Sequence, residues 1–123
     1  MPQKTLLGFA ALLGFLAVAA GAFGSHALKG RLTPEMTNLY EVAVRYQLIH
    51  ALAAVVAAVA FASFHNGFMV GAGWLFIIGS VFFSGSLFLY IFTDLKQWAM
   101  LTPVGGVLLL GGWLALVIGA WRS

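Results

Sequence analysis

The chain contains no cysteine, and only nine of its 123 residues are charged: six Lys or Arg and three Asp or Glu. Without cysteine there is no disulfide, no thiolate nucleophile, no Cys-ligated zinc and no iron–sulfur cluster. Charged residues make up 7% of the chain, where a soluble domain carries roughly a quarter. Nine charged side chains cannot build a water-facing surface for a chain of this size, so lipid is the solvent for most of it. The net charge of +3 is spread between apolar blocks. No basic patch forms that could track a nucleic-acid backbone, and no nucleic acid is expected as a partner. The basic residues act instead on topology and on anionic headgroups. No run alternates apolar with polar residues as a membrane barrel strand would.

What remains is hydrophobic length. About 30 Å of hydrocarbon takes roughly 20 apolar residues to cross as a helix, and four blocks have that length: about 5–23, 34–64, 68–92 and 99–121. Helices satisfy their backbone hydrogen bonds within one segment, so the expected fold is all-α, an integral membrane four-transmembrane-helix bundle in a single domain, 1–123. Thr33 followed by Pro34 and Glu35 predicts an N-cap, a proline in the first turn and an acid at the positive end of the helix dipole. The second helix then runs from 34 to 64, longer than the hydrocarbon, with an interfacial start. The first block could also be a cleaved signal peptide, with Lys4 ahead of an apolar core and Ala-Val-Ala at 17–19.

Small residues recur at helical spacing. Gly14, Ala17, Gly21 and Gly24 share a face, as do Gly73, Ser80 and Ser84. In the fourth block Gly111, Ala115 and Gly119 form one ladder, and Gly105, Gly112 and Gly119 a heptad one. Close backbone approach drives helix association in lipid, so Gly111 and Ala115 are expected to touch a neighbouring backbone. A ladder left unused would suit a homo-oligomer. Trp98 and Trp121 lie at segment ends, where amphipathic rings are favoured.

The polar residues gather at the start of the second helix, in "YEVAVRYQLIHALA" (40–53). At 100° per residue Glu41 and Arg45 share one face, while Tyr46, Gln47 and His50 share roughly the opposite one. Glu41 and Arg45 have the i,i+4 order that favours an ion pair. Gln47 and His50 lie where the helix becomes wholly apolar. A polar side chain at such depth faces the bundle interior and has a partner. For His50 the expected partners are Gln47, Ser84, Ser86, Thr102, His26 or a bound ligand.

The motifs "GAFGSHA", "YQLIHA", "FSGS" and "TPVGG" fall on 21–27, 46–51, 83–86 and 102–106. In sequence and in order they resemble the motifs of the transmembrane protein 256 family, also called domain of unknown function 423. The resemblance covers nearly the whole chain. It implies a small multi-span protein of the bacterial inner (plasma) membrane whose first helix is retained. It brings no activity with it. With four spans the first and third loops share a side. His26, Arg45, Tyr46, Gln47 and His50, with Ser84, Ser86 and Thr102, are therefore expected in one polar cluster open to one leaflet. Lys29, Arg31 and Lys96 would meet headgroups on that side.

Three functions follow from this arrangement. The first is a non-enzymatic protein that binds a lipid or amphiphile, or stabilises a membrane assembly, with membrane lipids as partners. The second is an oligomeric transporter or proton-coupled channel using His50. An enzyme is not expected: His26, His50 and His65 lack metal-ligand spacing, and no nucleophile motif accompanies Asp94. No catalytic residue, metal or cofactor is assigned. The first and third loops carry Lys29, Arg31 and Lys96, the other side Lys4 and Arg122. That bias predicts cytoplasmic loops and external termini.

Overall fold

The computed structural model describes residues 2–122. Four α-helices follow one another: α1 (Pro2–His26), α2 (Pro34–Phe64), α3 (Gly67–Thr93) and α4 (Thr102–Trp121). All four segments are long and apolar enough to cross a membrane. Between α3 and α4 lies a short 3-10 helix, Lys96–Leu101.

Local chemistry sets the ends. Thr33 Oγ1 accepts from the Met36 N–H at 3.1 Å, and Pro34 occupies the first turn of α2. At its other end His65 turns left-handed, with φ 54°. Asn66 then caps α3, its Oδ1 accepting from the Phe68 N–H at 3.1 Å. Asp94 ends α3 in the same left-handed manner, with φ 58°. α4 begins at Thr102, three residues later than the hydropathy suggests. Pro103 has no N–H to donate, so it is tolerated only in a first turn. A helix begun at Ala99 would have placed it in the interior.

Consecutive helices are antiparallel. α2 meets α1 through Tyr40 at Ala20 and Gln47 at Leu13. α4 meets α3 through Gly105 at Phe83, Gly112 at Phe76 and Gly119 at Phe68. α3 packs against both α2 and α4, α1 lies mainly on α2, and α4 barely reaches α2. The first and third loops therefore share one side. The core is narrow because it is built from small residues: Ala51, Ala53, Ala54 and Ala58 of α2 pack with Leu6, Ala10 and Leu13 of α1 and with Ala72, Phe76 and Ile77 of α3.

The seam between α3 and α4 runs along the heptad glycines. A Cβ on Gly105 would stand 2.3 Å from the Phe83 backbone nitrogen, and one on Gly112 2.6 Å from the Phe76 ring. Gly111 was expected in that seam, but its Cβ would meet only Leu75 at 3.6 Å, an ordinary contact. A heptad step keeps one edge of a helix against a nearly parallel axis, while the four-residue step from 111 to 115 drifts away from it.

Candidate functional site

On the inner face of α2, Gln47 and His50 are buried, at 7% and 6% exposure. Gln47 Nε2 donates to the Leu13 carbonyl of α1 at 3.0 Å. His50 Nδ1 lies 2.8 Å from the Tyr46 carbonyl one turn back. Trp113 Nε1 of α4 lies 3.1 Å from His50 Nε2. An indole N–H can only donate and a carbonyl can only accept. Both bonds are made together only by the neutral Nδ1–H tautomer, donating to Tyr46 and accepting from Trp113. The ring is further enclosed by Phe76 and Tyr46, with centroids at 5.7 and 5.8 Å. Tyr46 itself stacks on Phe83 at 4.6 Å and is 40% exposed.

The two serines of the Phe-Ser-Gly-Ser motif diverge. Ser84 Oγ donates to the Ala43 carbonyl of α2 at 2.6 Å. Ser86 Oγ donates to the Phe83 carbonyl at 2.9 Å and lies 2.6 Å from Thr102 Oγ1 of α4. A hydroxyl has one proton to give, so Thr102 is the donor between them.

These contacts correct the expected single polar cluster. His50 bonds none of Gln47, Ser84, Ser86, Thr102 or His26; its side-chain partner is Trp113. Each polar group lies over a different helix seam and takes the acceptor or donor across it. Gln47 joins α1 to α2, Ser84 joins α2 to α3, Ser86 with Thr102 joins α3 to α4, and His50 with Trp113 joins α2 to α4. His26 stands apart, exposed in the last turn of α1, and Lys29, Arg31 and Lys96 are exposed in the loops. Ser80 is 2% exposed, and its hydroxyl has no hydrogen-bond partner among the described residues.

The outer face of α2 is different. Between the C-terminal end of α1, the 27–33 loop and the first half of α2 lies an open cleft of about 750 Å³. Lys29, Glu41 and Arg45 line it, together with the apolar side chains of Leu28, Leu32, Val44 and Leu48. The inner wall is Tyr40, whose hydroxyl donates to the Ala20 carbonyl. Its ring passes beneath α1 at Gly24, where a Cβ would clash at 2.4 Å. On the far side of Tyr40 a smaller apolar groove is lined by Phe23, Phe88 and Phe92. Counting about 20 residues back from the end of α2 puts the membrane boundary close to Arg45. The charged side chains of the cleft thus lie at headgroup level, Leu28, Leu32 and Val44 lie beside them, and Leu48 lies below.

Of the candidate residues, Arg45 and Lys29 meet in this cleft. Tyr40, Glu41 and Trp113 were not among the candidates. Trp113 had a signal: an indole N–H among aliphatic neighbours needs an acceptor, and His50 is a polar group at matching depth. Among the described residues no group of three or more His, Asp or Glu is placed to hold a metal ion.

The family described as protein of unknown function (DUF423) matches residues 20–106. The chain belongs to that family. UPF0382 membrane protein SH2409 of Staphylococcus haemolyticus is 37% identical over 121 residues, 98% of each chain. UPF0382 inner membrane protein YgdD of Escherichia coli K12 is 37% identical over 122 residues, 99% of this chain and 93% of YgdD. No solved structure matches. Like these family members, the protein is a small integral membrane protein, and its place is the bacterial inner membrane. The matched segment runs from the end of α1 to the start of α4. It contains the whole cleft and the Tyr40–Ala20, Ser84–Ala43 and Ser86–Thr102 contacts, while Leu13, Trp113 and Gly119, the partners of Gln47, His50 and Asn66, lie outside it.

Proposed function

We propose that this protein is a non-enzymatic binder of a membrane lipid or similar amphiphile, held in the cleft between α1, the first loop and α2. One observation carries the proposal: the cleft is amphipathic across its depth. Lys29, Glu41 and Arg45 line it at headgroup level among Leu28, Leu32 and Val44, and Leu48 continues it into the hydrocarbon. Its volume of about 750 Å³ falls among small-ligand sites, which span about 300–1,000 Å³. Two basic side chains beside an apolar slot suit a lipid phosphate. The buried polar residues favour this over a proton path through His50, because both ring nitrogens are already committed.

Native mass spectrometry of the full chain released from mild detergent tests the proposal. One lipid is expected to stay bound to the wild type, and the exposed double variant Lys29→Gln/Arg45→Gln is expected to lose it while keeping its melting temperature. Equal lipid retention by both proteins would refute the site.

A further inference from the structure

The same cleft has a charge pattern more specific than a basic slot. Glu41 and Arg45 are one turn apart in the order that favours an ion pair. Both are exposed, both line the cleft, and they form no ion pair within 4.0 Å. Lys29 is the third charged group there. Two cations and one carboxylate therefore face a shared space without neutralising one another.

Each headgroup chemistry meets that pattern differently. A phosphate diester with a neutral polyol satisfies Lys29 and Arg45 but brings no cation to Glu41. A quaternary ammonium supplies the positive charge but has no N–H, so the carboxylate accepts no hydrogen bond. A primary ammonium supplies both, and the guanidinium fork of Arg45 can hold the phosphate through two parallel N–H groups. We propose that the cleft selects a lipid whose headgroup joins a phosphate diester to a primary ammonium, with Lys29 and Arg45 on the phosphate and Glu41 on the ammonium. This rests on the lipid-binding reading above. Leu28, Leu32, Val44 and Leu48 alongside the charges favour a lipid over a free water-soluble zwitterion.

The experiment uses the full chain equilibrated with an equimolar mixture of phosphatidylethanolamine, phosphatidylcholine and phosphatidylglycerol carrying identical acyl chains, read by native mass spectrometry. The ethanolamine lipid is expected to be retained about five- to tenfold over each of the others, the scale of one partly screened charge-assisted hydrogen bond. Glu41→Gln should abolish that preference while lipid is still retained. Glu35→Gln, an exposed acid outside the cleft, should leave it intact. Retention without headgroup preference, or a preference that survives Glu41→Gln, overturns the headgroup assignment and leaves lipid binding standing. No lipid retained by the wild type overturns the underlying reading instead. Displacement of the lipid by free phosphoethanolamine at near-stoichiometric concentration would make the ligand a soluble zwitterion and overturn the lipid assignment.

Discussion

Replacing Gly105 by alanine adds one methyl group where α3 and α4 come closest. The new carbon would stand 2.3 Å from the Phe83 nitrogen, 2.7 Å from its Cα and 2.8 Å from the Gly79 carbonyl oxygen. All three are backbone atoms, so no side chain can rotate away. To reach ordinary contact at 3.4 Å the helices must part by about 1.1 Å, the difference of those two distances. Overpacking of this kind costs about 1–3 kcal/mol. The separation also strains the Ser86–Thr102 and His50–Trp113 bonds, each worth about 0.6–1.7 kcal/mol in a membrane bundle. Alanine returns up to about 1 kcal/mol through helix propensity. The net expectation is a loss of about 2–4 kcal/mol. Gly106 is the matched control, because a Cβ there meets no atom within 4 Å. Gly112→Ala should fall between the two, since its nearest atom belongs to the Phe76 ring, which can shift. Thermal unfolding in one detergent, followed by retention of the monodisperse species, gives the order. A Gly105→Ala protein that melts at or above Gly106→Ala would refute the seam.

Further outcomes follow from the polar contacts and caps. Ser84→Ala removes a bond to the Ala43 carbonyl and should cost about 0.6–1 kcal/mol, whereas Ser80→Ala removes a buried hydroxyl without a partner and should be neutral or stabilising; detergent melting in the reverse order would contradict both assignments. A double-mutant cycle of His50→Leu with Trp113→Phe should show coupling of about 1 kcal/mol, and strict additivity would mean that the 3.1 Å contact contributes nothing. His65→Gly relieves a left-handed residue at the end of α2 at the loss of one ring contact with Phe61, so a net gain of about 0.5 kcal/mol is expected, and a lowered melting temperature would count against it. A C-terminal reporter active only outside the cytoplasm is the expected topology result; activity only inside would reverse the orientation.

Much of this architecture was legible because it depends on single residues or short runs. Hydrophobic length counts the spans. The Thr33-Pro34-Glu35 triplet starts α2, and the polar residues His65, Asn66 and Asp94 sit where the chain turns. What could not be read depends on how one helix is rotated against another. The fourth helix offers glycine steps of four and of seven residues, and only the partner decides which edge is used; α3 takes Gly105, Gly112 and Gly119. The start of α4 was missed because hydropathy does not register the missing N–H of Pro103. The partner of His50 was missed because only serine, threonine, glutamine and histidine were considered as partners, whereas Trp113 offers an indole N–H from the middle of α4.

The division of labour on α2 has a physical cause. In lipid, apolar surface gains nothing by choosing one helix over another, so direction has to come from close contacts and hydrogen bonds. Here a directional bond lies across each of the seams α1–α2, α2–α3, α3–α4 and α2–α4. Gln47, Ser84, Ser86, Thr102, His50 and Trp113 are the side chains that form them, and none is Asp, Glu, Lys or Arg. Cohesion therefore needs no charge inside the bundle, and the ionic groups near α2 are released from it. Glu41 and Arg45 sit on the other face of the same helix, joined by Lys29 from the loop, around a space that none of the described elements fills. Holding charged side chains at the edge of the hydrocarbon is costly unless something answers them. None of the described residues pairs with them, which leaves them to water and to lipid headgroups, the complement that the proposed site would bind.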